Sequence, residues 1–82
     1  MVPVQDLLSR IRWDREFGSG AFEIGYLDHV EKRVIRVPLK MVHFEKGNRF
    51  SFQLEAEMGE TLTIPFHRIR EVYRDGALIW RR

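Results

Sequence analysis

The sequence has 82 residues, enough for one small domain (residues 1–82) with a single hydrophobic core and too few for a second. It contains no cysteine, which excludes disulfides, thiolate zinc sites and thiol nucleophiles, and no apolar run approaches the length of a membrane span, so we expect a cytoplasmic protein without membrane contact. The formal net charge of +2, from 14 basic and 12 acidic residues, argues against wrapping long nucleic acid by counterion release, which needs many cationic contacts on one face.

Residues 3–12 are predicted to form an amphipathic helix. Pro3 suits the first helical position, and Asp6 suits the positive end of the helix dipole. A helix this short needs an apolar surface to cover, which implies a sheet beneath it. Its apolar residues recur at i, i+3, i+4 and i+7 and are Val4, Leu7, Leu8 and Ile11.

Strands are predicted after a glycine-containing loop at 15–20. Alternation over 22–28 predicts a first strand, in which Gly25 indicates a bulge or the close approach of another group to the backbone. A second strand at 34–37 is ended by Pro38. Residues 39–44 are ambiguous and fit one helical turn followed by a strand.

The clearest strand is predicted at 49–54, where apolar and polar residues alternate strictly. A hairpin connection at Gly47-Asn48 leads into it. An acidic turn at 55–60 follows, and residues 61–64 form a short strand after that turn.

The last two predicted strands, around 71–73 and 78–80, flank Asp75-Gly76. This pair favours a type I′ hairpin, because glycine tolerates positive φ. The predicted fold class is therefore α+β: an N-terminal amphipathic helix packed on a five- to six-stranded, mainly antiparallel curled sheet, with a small barrel as the alternative.

Between the short strand at 61–64 and the strand around 71–73 lies a rigid turn that begins at Pro65. Proline fixes φ and has no N–H, so the strand should stop there and the chain should continue through one helical or 3₁₀ turn. Phe66 and Ile69, three residues apart, would then point to the same side and be buried.

Cationic side chains on this turn, where the backbone is well pinned, and at the end of the last strand are candidate phosphate ligands. Only three of the 14 basic residues are lysines, and arginine suits bidentate contacts with phosphate. A GC-rich genome or a hot habitat gives the same arginine bias without a ligand, and the turn itself is equally consistent with a solvated connection. The candidates are His67, Arg68, Arg70 and Arg82.

Three aromatic residues near element ends, Trp13, Tyr26 and Trp80, are candidates to stack a base or to wall a pocket. The alternative for each is an ordinary place in the core or at its rim. Asp14 and Asp28 are candidates to orient cationic side chains, and Asp28 is also placed to begin a turn.

The three histidines, His29, His43 and His67, match no metal-ligand spacing, so we predict no metal and no cofactor. A phosphoesterase that acts on RNA ends through His67 is an alternative function, and it needs a second imidazole at the same phosphorus. A protein-interaction domain is a further alternative, which predicts a large apolar surface patch.

Four stretches together resemble a family of small, mostly archaeal proteins, also found as a domain in larger eukaryotic proteins: the RNA cyclic group end recognition domain. They are 8–14 (LSRIRWD), 22–28 (FEIGYLD), 64–69 (IPFHRI) and 76–82 (GALIWRR). In the family an arginine commonly follows the aspartate of the first strand, where this chain has His29. Histidine supplies that charge only when it is protonated.

The resemblance implies a non-catalytic RNA-binding module that recognises ends bearing a 2′,3′-cyclic phosphate, in RNA processing or repair, with RNA and an RNA-processing enzyme as partners. A cyclic phosphate has one negative charge and two free oxygens, which suits a bidentate arginine such as Arg68 with one further bond from His67. An internal phosphodiester has the same charge. Selectivity should therefore come from a closed pocket that stacks the terminal base and has no exit for a following nucleotide.

Overall fold

The structure, a computed structural model, describes residues 2–56 and 58–82, and these form one α-helix and two antiparallel sheets. Met1 and Glu57 lie outside the described residues, so the predicted acidic turn at 55–60 is described except at Glu57. The elements are α1 (Val4–Trp13), β1 (Phe22–Asp28), β2 (Arg33–Pro38), β3 (Val42–His43), β4 (Ser51–Glu55), β5 (Thr61–Pro65), β6 (Ile69–Arg74) and β7 (Ala77–Arg81).

The first sheet has the strand order β2-β1-β6-β7, and the second has the order β3-β4-β5. Every strand pair is antiparallel. The α+β class and the antiparallel pairing are confirmed, but the prediction of a single curled sheet of five or six strands was wrong. In the described part of the chain there are seven strands, and the first sheet does not close into a barrel because β2 and β7 are its edges.

Two proline-led turns explain the division into two sheets. Pro38 ends β2, and the 3₁₀ turn Leu39–Met41 carries the chain into β3 of the second sheet. Pro65 ends β5, and the 3₁₀ turn Phe66–Arg68 carries it back into β6 of the first sheet. Because proline adds no N–H to a ladder, each strand stops there and the short turn redirects the chain. The predicted turn after Pro65 and the helical turn before β3 are confirmed.

The amphipathic helix is confirmed within one residue of its predicted ends. It buries Val4, Leu8 and Ile11 against the core, and it ends where Asp14 becomes extended and its N–H bonds the carbonyl of Arg10. No helix in the described ranges is both long and apolar enough to cross a bilayer.

The core lies where the two sheets and the helix meet. Its largest fully buried side chains come from both sheets: Phe52 of β4, Ile24 of β1, and Ile69 and Val72 of β6. Phe66 is half-buried and packs against this cluster, so both apolar residues of the proline turn face the core as predicted. The turn is therefore pinned from its inner side.

Two glycine predictions are confirmed. The register of β1 on β6 shifts between Gly25 and Tyr26, and a Cβ at Gly25 would lie 2.8 Å from Cγ1 of Val34, so this glycine marks both a bulge and a close approach. At the hairpin between β6 and β7, Asp75 and Gly76 have φ values of 51° and 84°, as a type I′ turn requires.

The start of β4 differs from the prediction of a strand over 49–54. The side-chain Oδ1 of Asn48 accepts hydrogen bonds from the backbone N–H of Phe50 (2.9 Å) and of Ser51 (3.1 Å), which forms a turn in place of ladder pairing. Strand β4 therefore begins at Ser51. Arg49 and Phe50 are left on a loop at the surface.

Candidate functional site

A surface cavity of about 520 Å³ lies where four segments meet: the start of α1, the loop before β4, the turn after Pro65, and the end of β7 with the residue that follows it. It is lined by Val2, Pro3, Val4, Gln5, Arg49, Phe50, Phe66, His67, Trp80 and Arg82. We call it the end cavity.

Three hydrogen bonds tie these segments together. Trp80 donates from Nε1 to the carbonyl of Val2 over 2.6 Å, which joins β7 to the segment before α1. The side-chain amide of Gln5 donates to the carbonyl of Arg49, and the N–H of Phe66 donates to the carbonyl of Phe50 over 2.9 Å. The walls of the end cavity are therefore connected to one another through bonds between residues distant in sequence.

The ionisable side chains that line the end cavity are Arg49, His67 and Arg82, and none of the described lining residues is Asp or Glu. Within the described ranges, none of the ion pairs involves Arg49, Arg70 or Arg82. Among the described residues, no carboxylate side chain lines this cavity or forms an ion pair with Arg49 or Arg82, so the charge of the cavity favours an anionic ligand.

The backbone carbonyl of His67 organises the arginines. It accepts hydrogen bonds from Nη1 of Arg70 (2.6 Å) and from Nη1 of Arg82 (3.1 Å). The guanidinium of Arg82 also lies 5.4 Å from the ring centroid of Trp80, close enough for a cation–π contact. A guanidinium has five N–H donors, so a single bond to a neutral carbonyl orients it and leaves donors for a ligand.

The structure does not bring His67 and Arg68 together at this cavity. Arg68 is half-buried, it does not line the end cavity, and its Nε is buried without a hydrogen-bond partner among the described residues. In a 3₁₀ turn, successive side chains point about a third of a turn apart, which separates these two neighbours. Arg82, distant in sequence, takes the place beside His67.

The three candidate aromatics lie in three different environments. Trp80 lines the end cavity and is 8% exposed. Tyr26 is buried in the core and does not line the end cavity, and this burial, together with the charges of Asp28 and Glu31, raises the pKa of its phenol. Trp13 is 77% exposed at the end of α1, outside the end cavity.

The two candidate orienting aspartates stabilise local turns. Asp28 accepts the N–H of Val30 (2.7 Å) and of Glu31 (3.0 Å) at Oδ1. Both bonds lower the pKa of the Asp28 carboxyl, and the bond from the Glu31 N–H has the larger effect. Asp14 accepts the N–H of Phe17 over 3.1 Å. Asp14 also lies 3.7 Å from Nε of Arg10, and neither aspartate lines the end cavity with His67.

The other histidines also lie elsewhere. His43 Nε2 is 3.6 Å from a carboxylate oxygen of Glu55, and His29 is exposed in the turn after β1. Neither lines the end cavity with His67. In the part of the chain that the structure describes, no group of three or more His, Cys, Asp or Glu side chains is arranged to hold a metal ion.

Two lining residues, Arg49 and Phe50, were not among the predicted site residues. Both had been assigned to a strand, whereas Asn48 holds them on the loop that borders the end cavity. Phe50 is 85% exposed, so its ring is accessible at the border of the end cavity. The signal in the sequence was the asparagine directly before them, because asparagine often captures backbone N–H groups two or three residues on.

These features define a small α+β domain with two antiparallel sheets and an open cavity lined by basic and aromatic side chains. A sequence model of the MJ1316 RNA cyclic group end recognition domain matches residues 1–82, the whole chain. The chain therefore belongs to this family, and the resemblance found in the sequence is confirmed. No curated protein and no solved structure matches the chain in the same comparisons.

Proposed function

We propose that this protein is a non-catalytic RNA-binding module that recognises RNA ends carrying a 2′,3′-cyclic phosphate, in RNA processing or repair. The name of its family supports recognition of cyclic-group RNA ends. The observation that carries the proposal is the end cavity, in which Arg49, His67 and Arg82 meet without an Asp or Glu among the described lining residues.

The donors at this cavity suit the chemistry of a cyclic phosphate, which has one negative charge and two free oxygens. Arg82 is oriented by the His67 carbonyl and retains further N–H donors for the phosphate oxygens. The imidazole of His67 adds one bond, and Arg49 adds charge from the loop before β4. Arg82 thus takes the bidentate role that the sequence suggested for Arg68.

Selectivity for an end, in this proposal, comes from shape, because an internal phosphodiester has the same single charge. The segment with Val2 and Pro3 forms one wall of the end cavity, and the bond from Trp80 Nε1 to the Val2 carbonyl fixes it. The cavity is open, whereas a closed pocket was expected, so in this proposal the wall alone obstructs a nucleotide that continues beyond the terminal phosphate. The exposed ring of Phe50 offers a face on which the terminal base can stack.

Binding is favoured over the phosphoesterase alternative by the position of the histidines. Cleavage through two imidazoles needs both at one phosphorus, and neither His29 nor His43 lines the end cavity with His67. Incubation of a cyclic-phosphate RNA with the protein tests this directly. Product formation that is lost in His67→Ala would contradict a purely binding role.

The test of end recognition is a binding titration with short RNAs of one sequence and three different ends. We expect the RNA with a 2′,3′-cyclic phosphate to bind more tightly than those with a 3′-phosphate or a 3′-hydroxyl. Equal affinities for all three would rule out end recognition and leave general single-strand binding.

A further inference from the structure

We infer that a second groove, between α1 and the loop 44–49, binds the nucleotides that directly precede the RNA end, by stacking their bases. This inference rests on the proposed function. The groove has a volume of about 830 Å³, which is within the range of small-molecule sites in proteins. Trp13 and Arg12 line it on the helix side, and Phe44 and Lys46 line it on the loop side.

The groove adjoins the end cavity. Gln5, Arg49 and Phe66 line both, and the hydrogen bond from the Gln5 amide to the Arg49 carbonyl lies at their junction. In this inference, an RNA strand whose terminal phosphate lies beside His67 crosses over this junction into the groove. Because the proposed function assigns the wall at Val2 and Pro3 to the space beyond the terminal phosphate, the preceding nucleotides have to leave the end cavity by another route.

The groove offers a stacking surface in which Phe44 packs against the core, whereas Trp13 does not belong to the core. Trp13 is 77% exposed although it is among the largest apolar side chains. The guanidinium of Arg12 lies 5.7 Å from the Trp13 ring centroid and 5.5 Å from that of Phe44, which brings a planar cation close to two aromatic rings. Aromatic rings and arginine planes are the surfaces on which unpaired bases stack.

Charge makes a smaller contribution here than in the end cavity. Arg12, Lys46 and Arg49 line the groove, but so do the carboxylates of Asp6 and Glu45. The excess positive charge is therefore slight, and stacking should provide most of the affinity. It follows that the gain in affinity from added nucleotides should depend only weakly on salt, because few counterions are released.

A second cleft is a competing route for the RNA strand. Like the end cavity it is lined by Arg82, and its other lining residues are Leu27, Val34, Arg70, Glu71 and Arg81. None of the described residues that line this cleft is aromatic. It offers arginine planes but no aromatic ring for base stacking, which is why we favour the groove beside α1. Arg81 lines this cleft and not the groove, so a loss of the length-dependent gain in affinity in Arg81→Ala would indicate the alternative route.

The experiment compares a nucleoside 2′,3′-cyclic monophosphate with a dinucleotide and a trinucleotide that carry the same cyclic end. We expect wild-type affinity to rise with length. In Trp13→Ala the rise should be about five- to 100-fold smaller, as expected for the loss of one stacked base, with unchanged affinity for the mononucleotide. Trp13→Phe should restore most of the rise, and unfolding is not expected because the side chain is exposed.

A matched pair of lysine variants tests the loop side of the groove. Lys46 lines the groove, whereas Lys40 lies on the turn between β2 and β3, outside it. Lys46→Ala should lower the affinity for the trinucleotide more than for the mononucleotide. Lys40→Ala should leave both affinities unchanged.

The outcomes separate this inference from the proposed function. A rise with length that persists in Trp13→Ala, or that is lost only in Arg81→Ala, would overturn the groove while end recognition stands. A rise that depends on Trp13 but is the same for cyclic and hydroxyl ends would retain the groove and remove end recognition. No rise with length, together with a preference for the cyclic end, would also overturn the groove alone, and no binding at all would overturn both.

Discussion

The guanidinium of Arg82 donates from Nη1 to the backbone carbonyl of His67 over 3.1 Å. This bond joins the residue after β7 to the turn that follows Pro65, two segments that meet only because β6 and β7 form a hairpin. It orients a cation at the end cavity without neutralising it, since its partner is a neutral carbonyl. The proposed phosphate site depends on this relationship.

Replacing Arg82 by alanine should weaken binding of a cyclic-phosphate mononucleotide by about 10- to 100-fold, the usual size of one charge-assisted hydrogen bond. Folding should be little affected, because the side chain is exposed. The measurement is a calorimetric titration with a thermal melt of each variant. Arg81→Ala makes the same change of charge one residue earlier, and equal losses in the two variants would show that only net charge matters.

Trp80→Phe tests whether the wall at Val2 provides selectivity. The change keeps most of the buried ring but removes the Nε1–H that donates to the Val2 carbonyl, so we expect stability to fall by about 1 kcal/mol. The segment before α1 would be less firmly held, and the preference for a cyclic end over an internal phosphodiester should decrease more than the affinity itself. Denaturant unfolding and competition titrations measure the two effects. An unchanged preference would assign selectivity to another part of the cavity.

Local patterns predicted the elements that short-range chemistry decides. The helix follows from its apolar spacing, the hairpin at Asp75-Gly76 from the positive φ that glycine allows, and the turn at Pro65 from the fixed φ of proline. The division into two sheets was not predicted. It depends on which strands pair after each proline turn, and that pairing is decided by contacts between residues far apart in the sequence.

The candidate site was predicted only in part for the same reason. His67, Trp80 and Arg82 line the end cavity, whereas Arg68 lies outside it because of the geometry of the 3₁₀ turn. The bond between Trp80 and Val2 spans almost the whole sequence, and no local pattern indicates it. His67 and Arg68 were expected to bind one phosphate together because they are neighbours in a turn. The structure instead brings His67 together with residues from separate segments at the cavity.

The turn at Asp28 should make folding stability sensitive to acid. The pKa of the Asp28 carboxyl is lowered from the ordinary 3.8 by the N–H groups of Glu31 and Val30, so this carboxyl binds a proton less readily in the folded protein than in the unfolded chain. The stabilisation of the fold by the charged carboxylate is fully present above the ordinary pKa of 3.8, and it is lost as the pH falls through the lower pKa of the folded protein. Urea unfolding midpoints of wild type and Asp28→Asn, measured across that window, should converge at low pH. Parallel curves would contradict this account.

Two different substitutions of Asn48 separate its effect on folding stability from its effect on RNA binding. Its Oδ1 accepts from the N–H of Phe50 and Ser51 and so holds Arg49 at the end cavity. Asn48→Ala removes this acceptor, and we expect a loss of about 1 kcal/mol in stability together with weaker RNA binding.

Asn48→Asp keeps the acceptor and adds a negative charge near Arg49. Stability should therefore stay close to that of the wild type, while affinity for cyclic-phosphate RNA should fall, and high salt should reduce the difference because it screens the added charge. Unfolding curves and titrations at two salt concentrations measure this. If Asn48→Asp bound RNA as tightly as the wild type at low salt, the phosphate would have to lie away from Arg49, and the position proposed for it would be wrong.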